Sequence, residues 1–84
     1  MPRYRLIISN SFRRDLRRLD AATHRRVLTV LEGLQASPYE GSKLTNVAIG
    51  QWRIRVGDYH IRYDIEGEEI LLYRVRHRRD IYRD

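Results

Sequence analysis

The chain has 84 residues, which is enough for one small domain but leaves little room for an enclosed active-site cavity. It contains no cysteine, which excludes a disulfide, a thiolate metal site and a cysteine nucleophile, and no apolar run approaches the roughly 20 residues of a membrane span. Its 17 basic and 11 acidic residues give a net charge of +6, which favours a polyanionic partner. All but one of the basic residues are arginine, so an organism rich in arginine is an alternative explanation of this charge.

The first half of the chain predicts one strand and two helices. Residues 3–9 begin with alternating polarity and end apolar, which is typical of a first strand. A helix should begin near Ser11, and a second helix, capped by Asp20 or Thr23, should end before Pro38 because proline cannot continue a helix. Two helices with so short a link form an antiparallel αα-hairpin. Their apolar faces at helical spacing are Phe12, Leu16 and Leu19, and then Val27, Val30, Leu31 and Leu34.

The second half predicts the rest of a sheet. Residues 37–50 form a connecting loop, and residues 51–65 are two period-2 runs joined by Gly57 and Asp58, the pattern of a β-hairpin. Residues 69–76 are apolar on both sides, which predicts a strand in the interior of the sheet. The predicted fold is α+β: a small antiparallel β-sheet of about four strands, in the chain order β-α-α-β-β-β, with the αα-hairpin packed on one face. Residues 1–84 form a single domain in this prediction.

The predicted hairpin carries cations on one face. A two-residue turn places Arg55 opposite His60 and Arg53 opposite Arg62. Each such pair of like charges destabilises a sheet by a few tenths to about 1 kcal/mol. A surface selected only for stability would interleave acids, so we expect an anion to bind here; an ordinary solvated face is the alternative. The aromatic residues on the apolar face belong to the predicted core: Trp52, Tyr59 and Tyr63.

The residue types on the cationic face fit phosphodiester chemistry without a metal or another cofactor. The three histidines lack metal-ligand spacing, and the chain has no glycine-rich phosphate loop and no serine triad. Strand rise places Arg53 and Arg55 about 6.6 Å apart, a separation that can straddle one phosphate. His60 is the candidate for proton transfer, with an ordinary surface histidine as the alternative. Tyr82 could stack on a base, assist with protons or simply plug the edge of the sheet.

Four segments in the same order resemble the RelE/ParE superfamily of bacterial type II toxins, over nearly the whole chain. They are the opening strand with Ser9–Leu19, then Leu34–Pro38 with Lys43 and Leu44, then Trp52–Tyr63, and finally Val75–Tyr82. The resemblance implies an antiparallel sheet with an αα-hairpin on one face. In the RelE branch it implies metal-independent cleavage of mRNA in the ribosomal A site. The ParE branch shares the fold but inhibits DNA gyrase without cutting RNA, and a decayed or purely DNA-binding member is a third interpretation.

The resemblance also implies which residues form the site. Arg53, Arg55 and Tyr82 match the family's positions directly. The family's C-terminal arginine falls on Arg78, or on Arg76 if no gap separates it from the tyrosine. The predicted catalytic residues are Arg53, Arg55, His60, Arg78 and Tyr82. The predicted RNA-binding residues are Arg62, Arg76, His77, Arg79 and Lys43.

One position departs from the family's pattern, because the usual arginine after Asp-Tyr is His60 here. This histidine could act as an acid or base, and Arg62 on the same face could supply the missing charge. As partners, the resemblance implies a cognate antitoxin, the ribosome with its mRNA, and operator DNA bound only as the toxin–antitoxin complex. The N-terminus has no apolar segment long enough for a signal peptide, so we expect a cytoplasmic protein with no membrane partner.

Overall fold

The computed structural model of the protein describes residues 3–81. This part of the chain forms a five-stranded sheet with two longer helices against one face, which confirms the predicted α+β class and αα-hairpin. In chain order the elements are β1 (Arg5–Ile8), α1 (Asn10–Arg17), α2 (Ala21–Ala36), a 3₁₀ turn (Pro38–Glu40), β2 (Ser42–Lys43), β3 (Trp52–Val56), β4 (Tyr59–Glu66), β5 (Glu69–His77) and α3 (Arg78–Ile81). The predicted count of about four strands missed β2, which has two residues and lies in the segment predicted as a loop.

The sheet is mixed, which corrects the prediction of an antiparallel one. The strands lie in the order β1-β5-β4-β3-β2, and β2 to β5 pair antiparallel with their neighbours. β1 instead runs parallel to β5, with Ile8 in register with Leu72. The polarity pattern of an edge strand fits either direction, so the sequence alone did not determine this pairing. β5 lies between β1 and β4, which confirms its predicted interior position.

Local signals set the ends of both helices. Ser9 caps α1, because its Oγ accepts a hydrogen bond from the Phe12 amide at 3.0 Å. The same hydroxyl donates to the Tyr73 carbonyl at 3.0 Å and so ties the start of α1 to β5. α2 ends at Ala36, ahead of Pro38 as predicted. No helix in residues 3–81 combines the length and the apolar character needed to cross a membrane.

The core lies between the helical pair and one face of the sheet. Tyr63 is fully buried in it, and its hydroxyl donates to the Pro38 carbonyl at 2.9 Å and accepts from the Gly41 amide at 3.2 Å. Trp52 and Tyr59 are half-buried against the same core, as the hairpin pattern predicted. The buried apolar residues are Phe12, Val27, Leu31, Leu34, Val56, Ile61, Tyr63, Ile70, Leu72 and Val75.

A buried carboxylate joins α1 to β5. Asp15 on α1 is only 7% exposed, and its two oxygens accept hydrogen bonds from the Arg74 guanidinium at 2.8 and 3.1 Å. Oδ2 also accepts from the Val75 amide at 3.0 Å. A register shift in the β4–β5 ladder leaves Tyr73 as an extra residue just before this contact. Asp15 therefore fixes the position of β5 just after the bulge, at residues that no longer pair with β1.

Replacing Asp15 with alanine is expected to lower the free energy of unfolding by about 2–4 kcal/mol, because three N–H donors of β5, two from Arg74 and one from Val75, lose this acceptor. Asp15→Asn should cost less, since an amide oxygen can still accept from the Val75 amide. Urea unfolding at neutral pH measures both. Glu32→Ala, an exposed carboxylate on α2, is the control and should change the free energy by no more than about 0.5 kcal/mol. Equal effects of Asp15→Ala and Glu32→Ala would contradict the role given to Asp15.

Candidate functional site

The predicted hairpin and its register are confirmed. Gly57 adopts φ 60° and Asp58 has no positive φ, which is the pattern of a two-residue type II′ turn. In the resulting ladder Arg53 lies opposite Arg62, and Arg55 lies opposite His60. Side chains directly opposite one another point to the same face of a sheet. The cations of β3 and β4 therefore share one face.

β5 and α3 add further cations at the turn end of this hairpin. His60 pairs with Arg76 on β5, so it stands between Arg55 on one neighbouring strand and Arg76 on the other. The Arg78 amide donates to the Asp58 carbonyl at 2.7 Å, which holds the start of α3 against the β3–β4 turn. Arg78 consequently lies at the same end of the sheet as Arg55, although 23 positions separate them in the chain.

His60 is at the centre of this group. Burial is the main cause that lowers the pKa of His60 from its usual value of 6.5. The positive charges of Arg53, Arg55 and Arg78 lower the pKa of this imidazole further, so all three guanidinium groups lie close enough to act on it. Its Nδ1 is buried without a hydrogen-bond partner among residues 3–81. A neutral imidazole with an unsatisfied ring nitrogen is therefore surrounded by fixed cations.

The three arginines around His60 keep their charge available. All three are exposed, and the Nε of Arg55 donates to the Gly57 carbonyl at 2.8 Å, which holds that guanidinium beside the turn. Within residues 3–81 the ion pairs are Arg5 with Glu69 and Arg74 with Asp15. No carboxylate of the described chain thus neutralises the arginines around His60. An anion with several oxygens is the ligand that such an array suits.

Arg62 is placed differently from its neighbours. Its Nε donates to the Gly50 carbonyl at 2.7 Å, and its Nη2 donates to the Ile49 carbonyl at 3.4 Å. Asp64 secures the same loop, because its carboxylate accepts from the amides of Gly50 and Gln51 at 2.9 and 2.6 Å. Arg62 therefore lies on the cationic face of the hairpin as predicted, but its guanidinium is hydrogen-bonded to the loop that precedes β3.

The remaining predicted RNA-binding residues fall into two groups. Arg76, His77 and Arg79 lie at the end of β5 and the start of α3, beside the His60 group, which consists of His60 with Arg53, Arg55 and Arg78. The Nη2 of Arg76 donates to the Asp80 carbonyl at 3.3 Å, and the Nδ1 of His77 accepts from the Arg79 amide at 3.0 Å. Lys43 on β2 is exposed, but it pairs with the first residue of β3 and so lies at the opposite end of that strand from Arg55.

Two further predictions concern the catalytic tyrosine and a reaction without a metal ion. Tyr82, the predicted catalytic tyrosine, lies outside the described residues. Among residues 3–81, no three or more His, Asp or Glu side chains come together in a group that could hold a metal ion.

Sequence reasoning missed the carboxylate that supports β5. A signal for Asp15 exists: it follows Phe12 by three positions and precedes Leu16 by one, so it lies on the apolar stripe of α1. A carboxylate in such a stripe is buried and needs a partner. The identity of that partner, Arg74, could not be read from the sequence because the two residues are 59 positions apart.

Comparisons with known proteins agree on one family. The model of the ParE toxin of the type II toxin–antitoxin system parDE matches residues 6–82. Toxin RelE3 of Methanocaldococcus jannaschii is 30% identical, over 93% of this chain and 94% of that protein. The RelB–RelE antitoxin–toxin complex from Methanococcus jannaschii matches with a TM-score of 0.77 and 28% identity, over 92% of this chain and 95% of that one. The toxin–antitoxin complex RelBE2 from Mycobacterium tuberculosis matches with a TM-score of 0.80 and 26% identity, over 92% of this chain and 99% of that one. The chain therefore belongs to the RelE/ParE superfamily of type II toxin–antitoxin system toxins.

Proposed function

We propose that this toxin is a ribosome-dependent endoribonuclease that cleaves mRNA in the ribosomal A site without a metal ion. The observation that carries the proposal is the group of Arg53, Arg55 and Arg78 around the half-buried His60. Their charges are not compensated by carboxylates within residues 3–81. The site is an open surface, which fits an mRNA substrate that is held in place by the ribosome.

The proposed reaction uses the ribose 2′-hydroxyl as nucleophile. Its oxygen attacks the adjacent phosphorus while neutral His60 takes its proton, and the bond from phosphorus to the 5′ oxygen breaks. The products are a 2′,3′-cyclic phosphate and a 5′-hydroxyl, whose proton comes from an acid for which Tyr82 is the candidate. Arg53, Arg55 and Arg78 stabilise the charge that develops on the phosphorane oxygens, commonly the largest single contribution to such catalysis.

The second candidate function is inhibition of DNA gyrase. It is favoured by the match to a ParE toxin model, since the ParE branch inhibits gyrase without cutting RNA. His60 in place of the arginine usual in this family also leaves this function open. A toxin of this branch would bind a protein instead of cutting RNA.

We further propose a cognate antitoxin as the protein partner. The RelE relatives from Methanococcus jannaschii and Mycobacterium tuberculosis were both solved as toxin–antitoxin complexes. The net charge of +6 favours an acidic antitoxin segment lying on the toxin surface. The complex, rather than the toxin alone, would bind operator DNA, and the toxin would act in the cytoplasm, where the ribosomes are.

Cell-free translation followed by primer extension on the mRNA tests the proposed nuclease. We expect new 5′ ends within the coding region that appear only when ribosomes are translating, and that persist in the presence of a chelator added after translation has been arrested. A parallel reaction with purified gyrase and plasmid DNA measures the second candidate function. Gyrase-dependent DNA breaks without mRNA ends would overturn the nuclease in favour of gyrase inhibition.

A further inference from the structure

A second cationic position lies beside the site, between α2 and the β3–β4 turn. A cavity of about 600 Å³ opens there, and three of its lining residues are Arg26 from α2, Arg55 from β3 and His77 from β5. Arg55 also belongs to the His60 group, so the cavity adjoins the proposed site. Arg26 was not among the predicted site residues, and it comes from the helical layer rather than from the sheet.

Arg26 reaches over the turn itself. A Cβ atom at Gly57 would lie 3.0 Å from Nη1 of Arg26 and 3.4 Å from its Nη2, so the guanidinium group rests directly on the glycine. Val27, the next residue of α2, is fully buried and fixes the rotation of the helix at this point. Arg26 is therefore directed to the turn by the packing of its own helix.

Arg55 meets Arg26 at the same turn. The Nε of Arg55 donates to the Gly57 carbonyl at 2.8 Å, and the turn thus has one guanidinium bound to its carbonyl and another packed on its α-carbon. No carboxylate within residues 3–81 lies within 4.0 Å of either group. Guanidinium groups from two different elements thus lie at one turn, where each can donate in a planar fork to the oxygens of a neighbouring phosphate.

Two carboxylates also line the cavity, those of Asp20 and Asp58. Interaction with the Thr23 hydroxyl is the main cause that lowers the pKa of Asp20, so this group is ionised at neutral pH. These charges reduce the affinity of the cavity for a free anion. The cavity therefore suits a phosphate that is delivered as part of a chain and adds to binding energy gained elsewhere.

We propose that Arg26, next to Arg55 at the β3–β4 turn, forms a second phosphate-binding position, which holds the backbone phosphate of the single-stranded RNA adjacent to the phosphate that Arg55 contacts and that is cleaved. The proposal rests on the proposed function, because it takes RNA as the substrate. Arg26 is then a binding residue that sets the direction of the RNA strand across the hairpin, from the His60 group toward α2.

Binding of a single-stranded RNA with 2′-O-methyl riboses, which cannot be cleaved by the 2′-hydroxyl route, tests this position. Fluorescence anisotropy at a series of salt concentrations gives the affinity and its salt dependence for the full chain. Arg26→Ala should weaken binding about five- to tenfold at low salt and reduce the slope of log affinity against log salt by about 0.7, the value for one phosphate contact on a single strand. Arg26→Lys should restore the slope because it keeps the charge, but only part of the affinity because it loses the fork.

Arg25→Ala is the matched control. Arg25 precedes Arg26 on α2 and is also exposed, but it lines a different cavity, between α1 and α2. Its removal therefore changes the net charge equally and leaves the turn intact. Equal effects of the two alanine variants, or no RNA binding by the wild-type chain, would overturn the second position whether or not mRNA is cleaved. A selective effect of Arg26→Ala in a chain that makes no mRNA cuts would support the position and overturn the nuclease.

Discussion

Arg53→Ala is expected to slow ribosome-dependent mRNA cleavage by about 10²–10³-fold, the usual cost of removing one positioned donor from the transition state of a reaction at a charged centre. Arg53 lies on the cationic face opposite Arg62 and close enough to His60 to lower the pKa of the imidazole. Its guanidinium meets no carboxylate in residues 3–81, so its charge is available for the developing phosphorane. Arg78→Ala should have an effect of similar size, because Arg78 acts on the same imidazole from α3.

The measurement is the time course of primer-extension products at saturating ribosome concentration, so that it reports the cleavage step. Arg13→Ala serves as the control, because it removes an exposed arginine from α1 in the helical layer and leaves the hairpin unchanged. We expect this variant to cleave at close to the wild-type rate. Cleavage at the wild-type rate by Arg53→Ala and Arg78→Ala would contradict the proposed catalytic role of these arginines.

The parts of the fold that depend on neighbouring residues could be predicted from the sequence. The alternation of residues 51–65 and a two-residue turn fix which residue faces which, because a shift of one position would turn every apolar side chain outward. Arg55 opposite His60 follows from that rule alone and is confirmed. The end of α2 before Pro38 is a local effect of the same kind.

The parts that depend on distant residues could not be predicted in this way. The direction of β1 and the contact of Asp15 with Arg74 are settled only when the helices pack on the sheet. The hydrogen bonds of Arg62 to the loop carbonyls are a similar case, because alternation places the side chain on a face but does not say what it binds there. The sequence therefore predicted which cations share a surface, and packing determined which of them remain available to a ligand.

His60→Gln should reduce cleavage by about 10²–10⁴-fold if the imidazole takes the proton of the 2′-hydroxyl, the usual range for a positioned general base. Only the neutral imidazole can accept that proton. Burial, and then the surrounding arginines, lower the pKa of His60 below its usual 6.5, so the wild-type rate should rise with pH through that lowered pKa and level off at a lower pH than an unperturbed imidazole would give. Glutamine does not titrate, so the rise should disappear in the variant, and the measurement is the cleavage rate between pH 5 and 8 on arrested ribosomes.

His60→Arg separates proton transfer from phosphate binding at the same position. An arginine restores the residue usual in this family and adds a permanent charge, but it cannot act as a base near neutral pH. Loss of cleavage in His60→Arg, together with loss of the pH-dependent rise in His60→Gln, would identify the imidazole as the base. Cleavage that increases in His60→Arg would contradict that assignment, and would mean that His60 is a weakened substitute for a phosphate-binding arginine. In that case Nδ1 of His60, which has no hydrogen-bond partner among residues 3–81, is unsatisfied because of burial among cations and has no role in the chemistry.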